Sequence, residues 1–510
     1  MDWALQALRN TKLLFGTLLF FGLLAMTART ATDPDLWWHL RTGEWIVQTG
    51  QVPHNDPFSF TRAGRPWVSH EWLSEVLFYG IWRFASWAGL IVFSSMITTG
   101  GFMLLYLRCR ARPHWAAGAT TLGALASAPA WGVRPQMFTF LLASVLLWLV
   151  ERAEEKPWLL LWIPPVFLLW LNLHAGFALG PALLLAWCAG LAWEGVSGET
   201  DWTVVRPQIV RLLLVIAACI AVVPLNPSGA ELYRYPLDVL RSGGMRSFIA
   251  EWASPDFHQG RYAAMHLLCL ALLILFARGA VRPKVRVLFP LLGTLLAALD
   301  AVRHIPIFVL FAVPVIAAAL PVGSIRAPGN KAAQHTKFRG RFAACVVILI
   351  AVFCLVRWSM LVLGQSQSEA ESFPKKAVDF LASKGNSGRL FAYYDWGGYA
   401  IWRLYPEDRV FVDGRADLYG DELLDEFKVT MQLKPRWRQV LEEWQVQTVL
   451  VPTSSALAQA LALDYDWRSE YQDDRAIVFR RVGPPRGGER TPKTPSQQGK
   501  KVQKSLAELS

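Results

Sequence analysis

The feature that most constrains this chain is a succession of apolar runs. There are about eleven, each near the length needed to cross a hydrocarbon core of roughly 30 Å. They fall approximately at residues 12–28, 88–107, 115–131, 136–150, 158–172, 177–193, 209–224, 263–277, 285–299, 304–320 and 342–363. Backbone inside lipid must satisfy its own N–H and C=O groups, so such runs fold as helices. The 158–172 run carries Pro164-Pro165 and is expected to kink or re-enter. The first run lacks a small-residue cleavage site and leads into a Trp-rich polar motif, which favours a span over a signal peptide. The fold class expected is mostly α, a polytopic membrane protein of about eleven transmembrane helices.

Composition agrees. Charged residues make up 18% of the 510, below the quarter or so usual for soluble domains. The 24 Trp suit the two interfaces of a bilayer. A disordered chain, a collagen-like chain and a small disulfide scaffold are excluded. The six cysteines lie in or beside apolar runs with no CxxC pair, so neither a disulfide framework nor a thiolate zinc site is expected.

Net charge is +12, and its placement decides what it means. Arg108, Arg110 and Arg112 share one short connection; Arg278, Arg282, Lys284 and Arg286 share another; Arg326, Lys331, Lys337, Arg339 and Arg341 share a third. Such clusters mark cytoplasmic loops and anionic lipid, so membrane lipids are expected partners and nucleic acid is not. With the N-terminus inside and an odd number of spans, residues from about 365 onward lie outside the cytoplasm. The expected location is the inner (plasma) membrane, multi-pass.

Three regions follow. Residues 1–364 form the transmembrane part, with a large first external loop at 29–87. Residues 365–482 alternate β-type runs (Arg389–Tyr393, Arg409–Asp413, Thr448–Pro452) with helical stretches (Asp421–Leu433, Arg436–Glu443) and read as an extracytoplasmic α/β domain. Residues 483–510 read as a disordered basic tail.

The unusual polar residues gather at the external mouths. The first loop opens with Asp33-Pro34-Asp35-Leu36-Trp37-Trp38-His39. Two carboxylates one residue apart can hold a divalent metal, Mg2+ or Mn2+, and one of them can act as base. The same residues can instead form an interface belt whose acids cap the next helix. Further along lie His70 and Glu71, at the start of an amphipathic helix expected near 70–87. Other mouths carry Arg134, Asn172, His174, Glu251, Arg303 and His304. An arginine there can bind phosphate or snorkel to headgroups. Taken together, Arg134, Arg303 and His304 make a donor-phosphate set. Trp37, Trp38, His39, His70, Glu71, Asn172, His174 and Glu251 make the pocket wall.

With this motif and topology the chain resembles the GT-C class of membrane glycosyltransferases, which includes the protein O-mannosyltransferases and the catalytic subunit of oligosaccharyltransferase. Asp33-Pro34-Asp35 stands where that class has its acidic motif, so the resemblance implies catalytic or metal-binding roles for Asp33 and Asp35. Tyr393-Tyr394-Asp395-Trp396-Gly397 looks like the Trp-Trp-Asp-x-Gly acceptor motif of the oligosaccharyltransferase subunit, and Asp413-Gly414-Arg415 like a nearby Asp-Gly-Asn stretch. Both leading Trp positions are Tyr here, and Arg replaces the last Asn. The resemblance implies acceptor binding by Tyr394, Asp395, Trp396, Asp413 and Arg415. The purely structural alternative is a strand ending in a Gly-rich turn into a helix. The expected activity is transfer of a sugar from a polyprenyl-phosphate-linked donor to an acceptor glycan, lipid or protein at the external face. The rival classes are a flippase of lipid-linked glycans and a non-catalytic membrane scaffold.

Overall fold

The structure, a computed structural model, describes residues 11–322, 333–385 and 387–483, leaving aside the side chains of 246–248 and 333–341. The first part of the third basic connection, with Arg326 and Lys331, and the tail beyond 483 therefore lie outside the described residues. The chain divides into two compact units: Met1–Val52 with Ser69–Glu369, and Pro53–Val68 with Ala370–Ser510.

The regular elements among the first unit's described residues are all helices, and each of the eleven apolar runs is helical over most of its length. Among the described residues, six helices are long and apolar enough to cross a membrane: Trp72–Arg108, Gln136–Ala153, Ala175–Val196, Trp202–Leu225, Gly260–Ala277 and Phe342–Ser372. Thr11–Thr27, Pro157–Leu173 and Val302–Ala318 are apolar but shorter. The Trp72–Arg108 helix has 37 residues and breaks at Ser86, whose φ is 51°. At 1.5 Å per residue it would reach about 55 Å, well past one hydrocarbon core. The break falls where the amphipathic stretch gives way to the apolar one. Pro164 and Pro165 sit in the first turn of Ile163–Leu173, behind a 3-10 turn at Pro157–Trp162. Those positions have no intrahelical acceptor to lose, so the helix starts there without being broken.

Ion pairs tie helix ends together in this unit. Arg286 donates to Glu194 at 2.5 Å and to Glu154 at 2.9 Å. Arg108 meets Glu151 at 2.7 Å. At Gly190 a Cβ would stand 2.3 Å from the Arg286 Cα, so glycine is what lets that backbone come near enough for Glu194 to reach.

The second unit is built on a mixed five-stranded sheet of order β2-β1-β3-β5-β4. The strands are β1 Arg389–Ala392, β2 Arg409–Val410, β3 Thr448–Pro452, β4 Trp467–Gln472 and β5 Ala476–Arg481. β1 pairs in parallel with β2 and β3, while β5 runs antiparallel to β3 and β4. Three of these strands match the β-type runs of the sequence. The β4–β5 hairpin was not anticipated, while the helix Tyr394–Leu404 follows β1 as the structural alternative for that motif had it. The boundary drawn near 365 also misses a piece: Pro53–Val68, assigned above to the first external loop, folds with this unit. Ser59 bridges Val410, Phe60 N donates to the Val410 carbonyl at 3.1 Å, and Thr61 Oγ1 donates to the Phe411 carbonyl at 2.6 Å. The segment thereby covers the open edge of the two-residue strand β2.

Candidate active site

Asp33 and Asp35 stand just before the helix Leu36–Thr49. Asp33 Oδ1 accepts the Asp35 N–H at 3.0 Å, and Trp38 Nε1 donates to Asp35 Oδ1 at 3.2 Å. These bonds turn the second oxygen of each carboxylate toward one guanidinium. Arg134 Nε lies 3.4 Å from Asp33 Oδ2, and Arg134 Nη1 lies 3.8 Å from Asp35 Oδ2. Arg134 Nη2 pairs with Glu251 Oε1. Residues 33, 35, 134 and 251 come from three separate segments, so tertiary structure alone unites them. Gly132 keeps the Arg134 segment close, since a Cβ there would stand 2.8 Å from Asp33 Oδ2.

Burial raises the Asp35 carboxyl to about 7, aided by the neighbouring charge of Asp33 and opposed by Arg134 and His39. The side chain is still 31% exposed, so a ligand can reach it. Two buried donors nearby make no hydrogen bond: Arg134 Nε, which has only its 3.4 Å approach to Asp33, and Trp252 Nε1. Arg303 lies over the Trp252 ring at 4.4 Å, and His304 Nδ1 donates to the Ala297 carbonyl at 3.1 Å. Arg303 is within electrostatic reach of Arg134, Asp35 and Glu71.

A second group is centred on Glu71. His70 Nε2 lies 3.0 Å from its carboxylate, His174 Nε2 3.5 Å and His39 Nε2 3.6 Å. On its other side His39 Nδ1 faces Glu75 at 3.5 Å. The bonds around His174 fix its tautomer. Trp170 Nε1 donates to Thr139 Oγ1 at 2.9 Å, which leaves the Thr139 hydroxyl to donate to His174 Nδ1 at 2.7 Å. The Gly176 N–H also donates to Nδ1, at 3.0 Å. Nδ1 is thus an acceptor, and the ring carries its proton on Nε2, toward Glu71. Burial lowers the His174 imidazole to about 3. Burial pushes Glu71 up, but His70, His174 and His39 outweigh it and hold the carboxyl below its usual range. A histidine with Nε2 protonated offers no lone pair there, so this group is not built as a zinc site. Among the described residues no three or more His, Cys, Asp or Glu side chains are grouped to hold a metal ion.

Several expected pocket residues serve the framework. Asn172 Oδ1 accepts from Trp72 Nε1 at 2.7 Å and from Asn226 Nδ2 at 3.1 Å, while its Nδ2 donates to the Leu168 carbonyl at 2.8 Å. Trp37 is 1% exposed and packs edge-on against Trp87. The Trp38 ring lies against that of His39, with centroids 3.6 Å apart and planes tilted by 37°. Tyr235, whose ring lies 4.4 Å from His70, and Thr139 went unnoticed in the sequence, whereas Trp252 stands out there beside Glu251.

The expected acceptor residues lie in the second unit. Asp395 is exposed in the first turn of Tyr394–Leu404, Tyr394 is half-buried, and Trp396 is buried. Gly397 sets the packing of this helix, because a Cβ there would stand 2.3 Å from the Val412 carbonyl. Asp413 and Arg415 are buried at 0% and 1% exposure. Arg415 donates to Asp413 at 2.8 and 2.7 Å and to Asp56 at 2.7 Å. Its guanidinium also lies 4.6 Å from the Trp67 ring centroid, and the Tyr419 hydroxyl donates to Asp413.

A helical membrane protein whose loops gather three carboxylates on one arginine is the class that the first unit defines. By sequence, no protein-family model and no characterised protein matches this chain. Solved structures do match by fold. The oligosaccharyltransferase of Archaeoglobus fulgidus tethered to an acceptor peptide with the NVT sequon is 12% identical at a TM-score of 0.51, covering 93% of this chain and 75% of its own. Its apo form matches at 0.51 and 12% identity, covering 86% and 69%. The oligosaccharyltransferase AglB of the same archaeon, in complex with an inhibitory peptide and a dolichol-phosphate, matches at 0.50 and 12%, covering 91% and 74%. The chain thus shares its fold with these archaeal structures, as the resemblance noted in the sequence implies.

Proposed function

We propose that this protein is a membrane glycosyltransferase. It moves a sugar from a polyprenyl-phosphate-linked donor to an acceptor at the external face of the inner (plasma) membrane. About eleven crossings and an extracytoplasmic 370–482 region belong to this reading, supported by the apolar runs and the basic connections. The fold is that of an enzyme solved with a dolichol-phosphate and with peptides. The observation that carries the reading is the convergence of Asp33, Asp35 and Glu251 on Arg134, with Arg303 near by.

The chemistry follows from these groups. The acceptor O–H or N–H attacks the anomeric carbon as the bond from that carbon to the phosphate oxygen breaks. The phosphate leaves with the electron pair, and the proton passes to Asp35. A carboxyl near 7 is suited to this, since a base works best with a pKa close to the working pH. Arg134 and Arg303 face the departing phosphate, and the N–H groups of Arg134 and Trp252 that make no hydrogen bond supply directional donors. A single displacement inverts the anomeric centre. Glu71, held ionised by its histidines, keeps the floor of the site in one arrangement. The expected divalent ion does not fit these carboxylates as they stand, because the guanidinium lies among them; no step here passes through a metal. On the acceptor side, exposed Asp395 with Tyr394 is the natural contact, while Asp413 and Arg415 hold their unit together.

The test is transfer by purified protein in lipid nanodiscs, using polyprenyl-phosphate-linked sugars and surface glycan fractions as acceptors. Product that appears with the wild type and disappears with Asp35→Asn supports the reading. Equal product with both proteins overturns it.

A further inference from the structure

We infer that Arg134 is the resident cation of this site and takes the place a divalent ion would otherwise hold between Asp33, Asp35 and Glu251. The inference rests on the glycosyltransferase reading for its phosphate ligand, but its metal part stands alone.

Three observations support it. Each nitrogen of the guanidinium faces a different carboxylate, as a bound metal ion would. The segment bearing Arg134 packs so near Asp33 that even a methyl on Gly132 would come within 2.8 Å of the carboxylate, so the guanidinium is held close against it. Finally, the guanidinium is held without being saturated. Glu251 takes Nη2, but Nε has no hydrogen-bond partner and Nη1 stands 3.8 Å from Asp35. A cation that served only the fold would have its donors filled. Here N–H groups remain for an incoming oxyanion, and planar guanidinium donors match two phosphate oxygens at once. As the sugar leaves, charge builds on the phosphate against a fixed positive group, which needs no reorganisation at that moment. Removing the guanidinium leaves three carboxylates in one place, a donor set suited to a hard divalent ion.

The experiment uses full-length protein in nanodiscs with two probes: undecaprenyl phosphate, and Mn2+ followed by electron paramagnetic resonance. The wild type is expected to bind undecaprenyl phosphate equally with and without EDTA, and to leave micromolar Mn2+ free. Arg134→Ala is expected to bind the lipid phosphate about tenfold to a hundredfold more weakly in EDTA, and to bind one Mn2+ that Asp33→Asn then removes. Arg134→Gln, closer in size, covers the case in which the alanine variant does not fold. Arg134→Lys should keep EDTA-resistant lipid binding and should not take up Mn2+. Lipid binding lost on chelation, or tight Mn2+ binding by the wild type, overturns the inference. If no variant binds undecaprenyl phosphate, the glycosyltransferase reading falls, while the Mn2+ contrast between wild type and Arg134→Ala still decides the cation's role.

Discussion

Arg134 and Arg415 look alike in sequence: each is an arginine in a polar motif of its own region. Their surroundings separate them. Arg415 is 1% exposed and every nitrogen of its guanidinium is hydrogen-bonded, to Asp413, Asp56 or Tyr419. Arg134 is 14% exposed on its side chain, keeps one firm partner, and has a buried Nε that approaches Asp33 at 3.4 Å without a hydrogen bond. A buried polar group left unpaired costs roughly 1–3 kcal/mol. That cost is sensible where a ligand later relieves it and wasteful where none does. Saturation marks Arg415 as part of the architecture, and incomplete saturation marks Arg134 as part of a site.

The sharpest way to break this contrast is at Asp35. Asp35→Asn is expected to lower transfer by about a hundredfold to ten-thousandfold, the usual worth of a positioned base. The fold should be unharmed, because an amide resembles the protonated acid that burial already favours. Rates and melting curves of the same preparation check both halves. Unchanged transfer would move the chemistry away from the Arg134 group.

Arg415→Ala comes next. It leaves Asp413 and Asp56 buried without their cation, and breaking a buried pair in this way costs roughly 3–5 kcal/mol. Proteolysis and thermal melting should report early opening of the second unit, while undecaprenyl phosphate binding stays as in the wild type. If Arg415→Ala melts normally and loses only acceptor binding, the architectural assignment is wrong.

The pH profile is a smaller effect with a definite sign. The Asp35 carboxyl is raised to about 7, so its basic form is lost as pH falls below that value. Transfer should drop about tenfold per pH unit on the acid side and level off above neutrality. Stability runs the other way. A carboxyl whose folded pKa lies above its unfolded value, near 3.9, favours the fold when protonated, so this group's contribution declines as pH rises from about 4 to about 7. A rate that is flat from pH 5 to 8 would remove Asp35 as the base.

Some of this was legible in the sequence. The apolar runs gave the helices because lipid permits little else, and β1, β2 and β3 showed as β-type runs. Asp33, Asp35, Arg134 and Glu251 were each noticed at loop mouths. Their meeting was not visible, since nothing local says that Arg134 turns to the carboxylates. The assignment of Asp413 and Arg415 to an acceptor site had the same weakness. Asp56 lies 359 positions from Arg415, and a pair so remote leaves no periodic trace. Pro53–Val68 went to the wrong neighbour for that reason: an edge-covering segment of irregular backbone carries no strand pattern of its own. Two of the cations counted for topology, Arg108 and Arg286, also pair with glutamates from other connections, which no local pattern announces.

The smallest effect is expected at Asp395, where the acceptor reading and the structural one still compete. Asp395 is exposed and lies in the first turn of Tyr394–Leu404. A carboxylate there stabilises the helix dipole by about 0.3–1 kcal/mol, most of which Asp395→Asn would remove. That loss would lower the melting temperature slightly and leave kinetics alone. If Asp395 binds the acceptor, the substitution takes away a charge-assisted hydrogen bond worth roughly 1.5–3 kcal/mol. Acceptor affinity would then fall about tenfold to a hundredfold, with lipid-donor binding unchanged. Exposure favours the second outcome, because the neighbouring motif residues Asp413 and Arg415 are buried and hydrogen-bonded to one another. Acceptor and donor titrations on one preparation separate the two: a rise in acceptor KM alone supports binding, and a shifted melt with normal KM assigns Asp395 to the helix.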